Sequence, residues 1–320
     1  MNTFTWLLKR EYWENRGGFL WAPVWASGIT LALSVLGVIM AEMGARRANV
    51  SIGVNITDLV SRMTPDQMQQ LGAGLDIGMY WLSALVSIVL FFVLFFYLIG
   101  ALYNDRRDHS VLFWKSLPLT DSQTVLSKVV SATVLAPVLA VGVSLVLMFA
   151  FLVLMSIVAA FHGVNPITMI WMNASPLSVA GKLILLIPIN AIWALPCIGW
   201  LLLVSAFAKR APFLFAVLVP VFAGILITSF DLLNNLHIPD FSFWRNVVGR
   251  LLFSVMPGSW MDVAQLRLVN HANGPVDLLN ALSLASIGEV LTRPGLWIGA
   301  VAGVAMIAGS VWVRRWRDDS

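Results

Sequence analysis

Residues 77–102 read IGMYWLSALVSIVLFFVLFFYLIGAL, with no Asp, Glu, Lys, Arg or His among them. As a helix rising 1.5 Å per residue, the run is about 39 Å long. The hydrocarbon core of a bilayer is about 30 Å thick. Apolar and polar residues do not alternate along the run, so it does not read as a barrel strand. Backbone groups inside lipid must bond to one another, and a helix does this within one segment.

Five more uncharged runs of spanning length lie outward from this one, at 19–41, 129–161, 183–208, 211–230 and 295–313. The expected fold is therefore all-α: a polytopic membrane protein with six transmembrane helices. The third run would reach roughly 50 Å as one helix, so it should tilt or project, with Pro137 as its expected kink. Pro23, Pro188, Pro196, Pro212 and Pro220 also fall in or beside spans, where neighbouring helices re-satisfy the carbonyls that proline frees. The first run is longer than a signal-peptide core and no small-x-small cleavage site follows it, so it reads as an uncleaved span. The expected organisation is an amphipathic helix at 1–18, one transmembrane domain at 19–313 with outer segments 42–76 and 231–294, and a tail at 314–320.

Composition agrees. Of the 320 residues, 59% are hydrophobic and 11% charged, against about 25% charged in soluble domains. Mean hydropathy is +0.85 and the pI is near 9.5. The net charge of +4 is spread between apolar runs and forms no basic face, so no nucleic-acid partner is expected. Basic residues are dense in short segments: Lys9, Arg10 and Arg16, then Arg106, Arg107, Lys115 and Lys128, then Lys209 and Arg210, then Arg314, Arg315 and Arg317. On the other side Arg46, Arg47, Arg62, Lys182, Arg245, Arg250, Arg267 and Arg293 are spread over longer segments. The positive-inside rule then places both termini in the cytoplasm, with the chain multi-pass in a cell (inner) membrane.

Several chemistries are missing. No G-x-x-x-x-G-K-[ST], H-E-x-x-H, EF-hand or G-x-S-x-G pattern occurs, so the chain is not expected to be an enzyme or to bind nucleotide by those routes. His109, His162, His237 and His271 are far apart and outside the spans, so no metal site is expected. Cys197 stands alone in an apolar run and reads as a small buried hydrophobe. Ion-coupled carriers place ionisable groups inside the bundle, whereas here Glu42 and Asp231 sit at span ends. Asn190 is the deepest amide; it either joins two helices or meets a substrate. Gly295, Gly299 and Gly303 form a small-residue stripe for a helix contact, within the chain or between copies.

Two segments look unlike plain connectors. Residues 6–16, WLLKREYWENR, mix Trp6, Leu7, Tyr12 and Trp13 with Lys9, Arg10, Glu11, Glu14 and Arg16. They read as a surface helix ended by Gly17-Gly18. Glu11 and Glu14 add nothing to binding an anionic membrane, which points to a protein contact. Residues 102–128 open with Asp105-Arg106-Arg107-Asp108, pass through Val111, Leu112, Phe113 and Trp114, and reach Ser116-Leu117-Pro118. Thr120 or Asp121, with Gln123 three residues after Thr120, then makes a helix start before Lys128. An apolar group in a connector wants a partner surface or the membrane interface. A third segment, 244–256 (WRNVVGRLLFSVM), sets Arg245 and Arg250 among apolar residues shortly before Pro257. It fits an interfacial or re-entrant helix on the outer side.

The Asp105-Arg106-Arg107 cluster, the Ser116-Leu117-Pro118 step, Lys128 and the Lys9–Glu14 helix resemble the type 2 ABC exporter permeases. So does the six-span layout with a long outer segment before the last span. The resemblance implies two copies of this permease paired with two copies of a cytoplasmic ATPase. The ATP and magnesium would be bound by that partner, and no cofactor by this chain. It implies ATPase coupling through Glu11, Glu14, Asp105, Arg106, Arg107, Asp108, Trp114, Ser116, Leu117, Pro118 and Lys128, with a coupling helix in the 102–128 connection. It also implies outward transport of a hydrophobic or amphipathic substrate. A non-transporting membrane scaffold and a membrane-embedded lipid-modifying enzyme are the alternative readings.

Overall fold

The computed structural model describes residues 3–47, 63–107, 120–234, 243–256, 258–261 and 274–317. Among these residues every regular element is a helix. Six helical stretches are long and apolar enough to cross a membrane. The chain is an all-α polytopic membrane protein.

The elements follow in chain order. Helix α1 (Thr3–Arg16) passes through a π-helical turn (Gly17–Trp21) into α2 (Ala22–Arg47). Helix α3 (Pro65–Ala101) is followed by a short α4 (Tyr103–Arg107). Helix α5 (Asp121–Val130) continues through a second π-turn (Ser131–Leu135) into α6 (Ala136–Phe161). After a third π-turn (Ile167–Trp171) come α7 (Pro176–Phe207) and α8 (Pro212–Asn234). A fourth π-turn (Trp244–Gly249) leads to α9 (Arg250–Phe253), then α10 (Pro275–Ala281), α11 (Leu284–Thr292) and α12 (Pro294–Arg317).

Three expectations are revised and one open reading is resolved. Gly17-Gly18 does not end the first helix: the bend lies at Asn15, whose φ/ψ is −111/15, and in the π-turn after it. An added Cβ on Gly18 would come within 2.8 Å of Val93 Cγ1, so glycine is required there for close approach to α3. The irregularity of the third span is the π-turn Ser131–Leu135, just before Pro137 rather than at it. Residues 65–76, read as part of an outer cap, are instead the first turns of α3. Thr64 caps that helix, its side chain accepting from Gln67 N while Gln67 Oε1 accepts from Thr64 N. Finally, the glycine stripe is an intrachain contact at Gly299 and Gly303. A Cβ on Gly303 would strike the backbone of Leu195 and Pro196 in α7, and one on Gly199 would strike Gly303 O.

That last contact reflects how helices associate in lipid. Lipid tails are as apolar as leucine, so close packing between small residues holds spans together better than oiliness does. Hydroxyls inside the spans are absorbed locally. Thr30, Ser83, Ser87, Thr133, Ser156 and Thr228 each donate to the carbonyl four residues earlier. The central core is formed by Met79, Val86, Leu94 and Leu98 of α3, Met148 and Leu152 of α6, and Ile198, Leu201 and Leu202 of α7. The outward faces stay oily: Trp25, Ile29 and Leu33 on α2 and Val301 on α12 are exposed. Exposed tryptophans gather at both ends, Trp13, Trp21 and Trp316 at one and Trp171 and Trp297 at the other, as interfacial belts do.

The segment before the last span descends into the bundle. Cys197 Sγ lies 3.5 Å from Leu252 O, and the Phe253 and Phe91 rings are 6.1 Å apart. Cys197 and Phe91 are each about 15 Å from the Phe207 and Ala101 ends of their helices, by helical rise. A cap resting on the surface would not reach that level. Trp260, Ile287, Val290 and Leu296 pack with Ile189 in a second, smaller core over it. Pro257 lies outside the described residues.

Gly303→Ala should destabilise the chain by about 1–3 kcal/mol, because the new methyl meets backbone that cannot yield. Gly142→Ala, with no atom near its added Cβ, should be close to neutral. Thermal unfolding of the two variants in detergent checks the contrast.

Candidate functional site

One end of the bundle is held by charge. Helix α1 turns over that end and lays Glu11 against the spans, leaving its side chain 1% exposed. Tyr97 Oη of α3 donates to Glu11 Oε2 at 2.7 Å, and Lys128 Nζ of α5 donates to Oε1 at 3.2 Å. Arg10 donates to the same Oε1 at 3.0 Å and pairs with Glu14 at 3.2 Å. Phe19 stacks edge-on against Tyr97 with centroids 5.0 Å apart, which fixes the ring that presents the hydroxyl.

The network runs on from Lys128. Its ammonium lies 3.5 Å from Asp105 Oδ2 of α4, and that carboxylate lies 3.8 Å from Arg314 of α12. Arg314 Nε then donates to Asp121 Oδ1 of α5 at 3.0 Å. Arg106 Nη2 donates to the carbonyls of Ser205 and Ala208 at 2.6 and 3.1 Å, capping the last turn of α7 with positive charge where the helix dipole is negative. Ser205 Oγ in return accepts from the N–H groups of Leu102 and Tyr103. Thr120 caps α5 with the Gln123 capping box expected from sequence.

This junction joins α1, the end of α3, the start of α5, and the ends of α7 and α12. The two ends of the described chain, helix α4 after the second span and the start of α5 before the third therefore lie on one side of the bundle. At the opposite, far end, His162 Nε2 is 3.2 Å from Glu42 Oε2, and Ser175 N donates to Asp76 Oδ1 at 2.7 Å.

Of the residues read as a coupling site, the structure brings together Glu11, Glu14, Asp105, Arg106 and Lys128. Glu11 and Lys128 are buried inside the chain, so neither presents itself to a partner. Glu14 is half-exposed and Arg107 is exposed. Asp108, Trp114, Ser116, Leu117 and Pro118 lie outside the described residues. Sequence reading missed Tyr97, Asp121 and Arg314 as members. Tyr97 sits in an apolar run, and only its place one residue past a row of phenylalanines sets it apart. The described residues hold no group of His, Cys, Asp and Glu able to ligate a metal.

A cavity of about 500 Å³ opens between α3, α6 and α7 toward the far end, within the range of about 300–1,000 Å³ usual for small-molecule sites. Leu90, Leu94, Ala140, Ala191 and Ala194 supply its apolar wall, and Tyr80, Ser83 and Asn190 its polar points. Asn190 makes no bond to another helix among the described residues. It faces the cavity instead of joining two spans.

Lys128→Met would leave Glu11 buried and short of one of its two counter-ions. Breaking such a pair costs about 3–5 kcal/mol, whereas replacing both members is often neutral. The expected result in thermal unfolding is a large loss for Lys128→Met and recovery of most of it in the Lys128→Met, Glu11→Gln double variant.

No protein-family model, no curated protein and no solved structure matches the chain.

Proposed function

We propose that the chain is the permease subunit of an ATP-driven exporter, with ATP hydrolysed by a separate cytoplasmic subunit. In this reading two copies of each assemble, both termini are cytoplasmic, and the substrate moves outward through a cell membrane. The charged junction is the observation that carries it. A push delivered at one end of a bundle moves spans only if that end is rigidly tied to them. Here the N-terminal helix, the two helices that flank the second-to-third connection and the last span are interlocked by buried pairs. A motor gripping the connection would displace α3, α5 and α12 together.

The spans themselves supply no power source, because charged groups among the described residues gather at the junction and far end rather than along the middle of the spans. The lipid-modifying enzyme reading requires clustered catalytic groups at a membrane face, and the junction's acids are already paired with bases. The junction also refines which residues would touch a motor. Replacing Asp105 and Arg106 would damage the bundle itself, since they hold Lys128, Arg314 and the end of α7. Exposed Arg107 and Glu14 are the better probes.

A tagged chain in mild detergent should bring down a P-loop ATPase, and the Arg107→Ala, Glu14→Ala double variant should weaken that association about tenfold while folding normally. Absence of any ATPase from the wild-type preparation sinks the reading. Orientation has its own test. Cys197 is fully buried, so a cysteine introduced at exposed Ser122 reports alone. It should react with a membrane-impermeant maleimide in inverted vesicles and stay silent in intact cells.

A further inference from the structure

Arg250 is carried into the bundle by the descending segment. Its guanidinium lies 4.1 Å over the Trp193 ring of α7 and donates to the Gly295 carbonyl at the start of α12. It packs so closely on Gly299 that a side chain added there would have to displace the guanidinium. Among the described residues no carboxylate faces it. Its Nε and Nη2, and the Oγ of buried Ser254, are buried without a hydrogen-bond partner. A guanidinium enclosed in this way at the far end is costly to leave unpaired, and such charges in membrane proteins are paired or serve a site.

The surroundings add positive charge. Arg245, Arg250 and Arg293 line one chamber of about 390 Å³ with Asn246, Ser254 and Ser259, and among the described residues no acid lines it. Arg293 reaches the Trp260 carbonyl at 3.3 Å, and Trp193 Nε1 donates to Ser259 Oγ at 3.1 Å, so the chamber wall is fixed. Trp260 and Met261 line this chamber and also the apolar cavity of about 500 Å³ next to it. Among the described residues no charged one lines that larger cavity. A cationic chamber therefore adjoins an oily one across a shared wall.

We propose that the two chambers together hold one anionic amphiphile. Its oxyanion head sits among Arg245, Arg250, Arg293 and Ser254, and its hydrocarbon chain lies along Leu90, Ala140 and Ala191. Guanidinium forks suit carboxylate and phosphate oxygens, and the orphaned donors of Arg250 and Ser254 are what such a head would satisfy. Binding does not depend on the exporter reading; only the identification of this ligand as cargo rests on it.

The test uses the purified full chain in non-ionic detergent and a phosphatidic acid with a fluorescent acyl chain. Unlabelled phosphatidic acid should displace the probe, while phosphatidylcholine and diacylglycerol of the same chains should compete at least tenfold more weakly. Inorganic phosphate should not compete at matching concentration. Arg250→Gln should weaken binding about tenfold or more, and Ser254→Ala about two- to tenfold. Ala191→Trp, which fills the oily chamber, should weaken it as well. Because Arg250 also holds Gly295, Arg293→Gln serves as a second variant with a lighter structural role. Equal competition by the three lipids overturns the proposal, as does unchanged binding in both arginine variants. Competition by inorganic phosphate at matching concentration overturns the assignment of the chain-binding half. Lost lipid binding in a wild-type chain that still brings down an ATPase would sink this site alone; the reverse result would sink the exporter reading alone.

Discussion

The contact between Glu11 and Lys128 is the constraint around which the rest of the molecule is arranged. Each group is almost wholly withdrawn from solvent, and each needs its ion pairs to stay charged there, Glu11 with Lys128 and Arg10, Lys128 with Glu11 and Asp105. Their pairing dictates that α1 folds back over the bundle, that Tyr97 points at its tip, and that α5 begins beside the end of α3. Asp105, Arg314 and Asp121 extend the same logic, each acid answered by a base on a different helix. Such networks add little net stability compared with apolar packing. What they supply is register: few arrangements of the helix ends satisfy all partners together.

The middle of the bundle obeys a different rule. Association there depends on how closely backbones approach, and the best example is Gly199 and Gly303 meeting beside Pro196. A proline frees a carbonyl and bends its helix, and glycine on the neighbour lets that bend be filled by backbone. Hydroxyls turn inward onto their own helices, so few polar groups remain to steer a ligand. The exceptions, Tyr80, Asn190 and the Arg250 group, are concentrated toward the far half. The molecule thus has a charged, interlocked end and a hollow end with selective polar points.

Much of the fold was legible because hydrocarbon imposes a simple demand of length and apolarity, which the six runs meet. Helix ends were less legible. Residues 65–76 are polar yet helical, since Thr64 and Gln67 start the helix well before its oily part. The junction was half legible: Glu11, Asp105 and Lys128 stood out as charges beside spans, but their pairing across distant chain positions leaves no local signal. Reading Glu11 as a partner contact was natural for an acid on a surface helix, and its burial reflects the bend after Asn15, which no periodicity announces. Arg245 and Arg250 were recognisable as charges amid apolar residues. Their convergence with Arg293 was not, because that depends on the descent of one segment into the space left by α7 and α12.

The π-turns at Gly17–Trp21 and Ser131–Leu135 each sit where a helix leaves the charged end and enters the oily one. A π-turn carries more residues than an α-turn, so it sets the azimuth of what lies on either side. Each residue of an α-helix turns the chain through about 100°. Evolutionary loss of a single residue from either wide turn would swing the Glu11 or Lys128 face away from its mate while leaving span length and hydropathy untouched. The lipid-facing sequence can therefore drift, yet the chain is nearly frozen in residue count across these two short stretches.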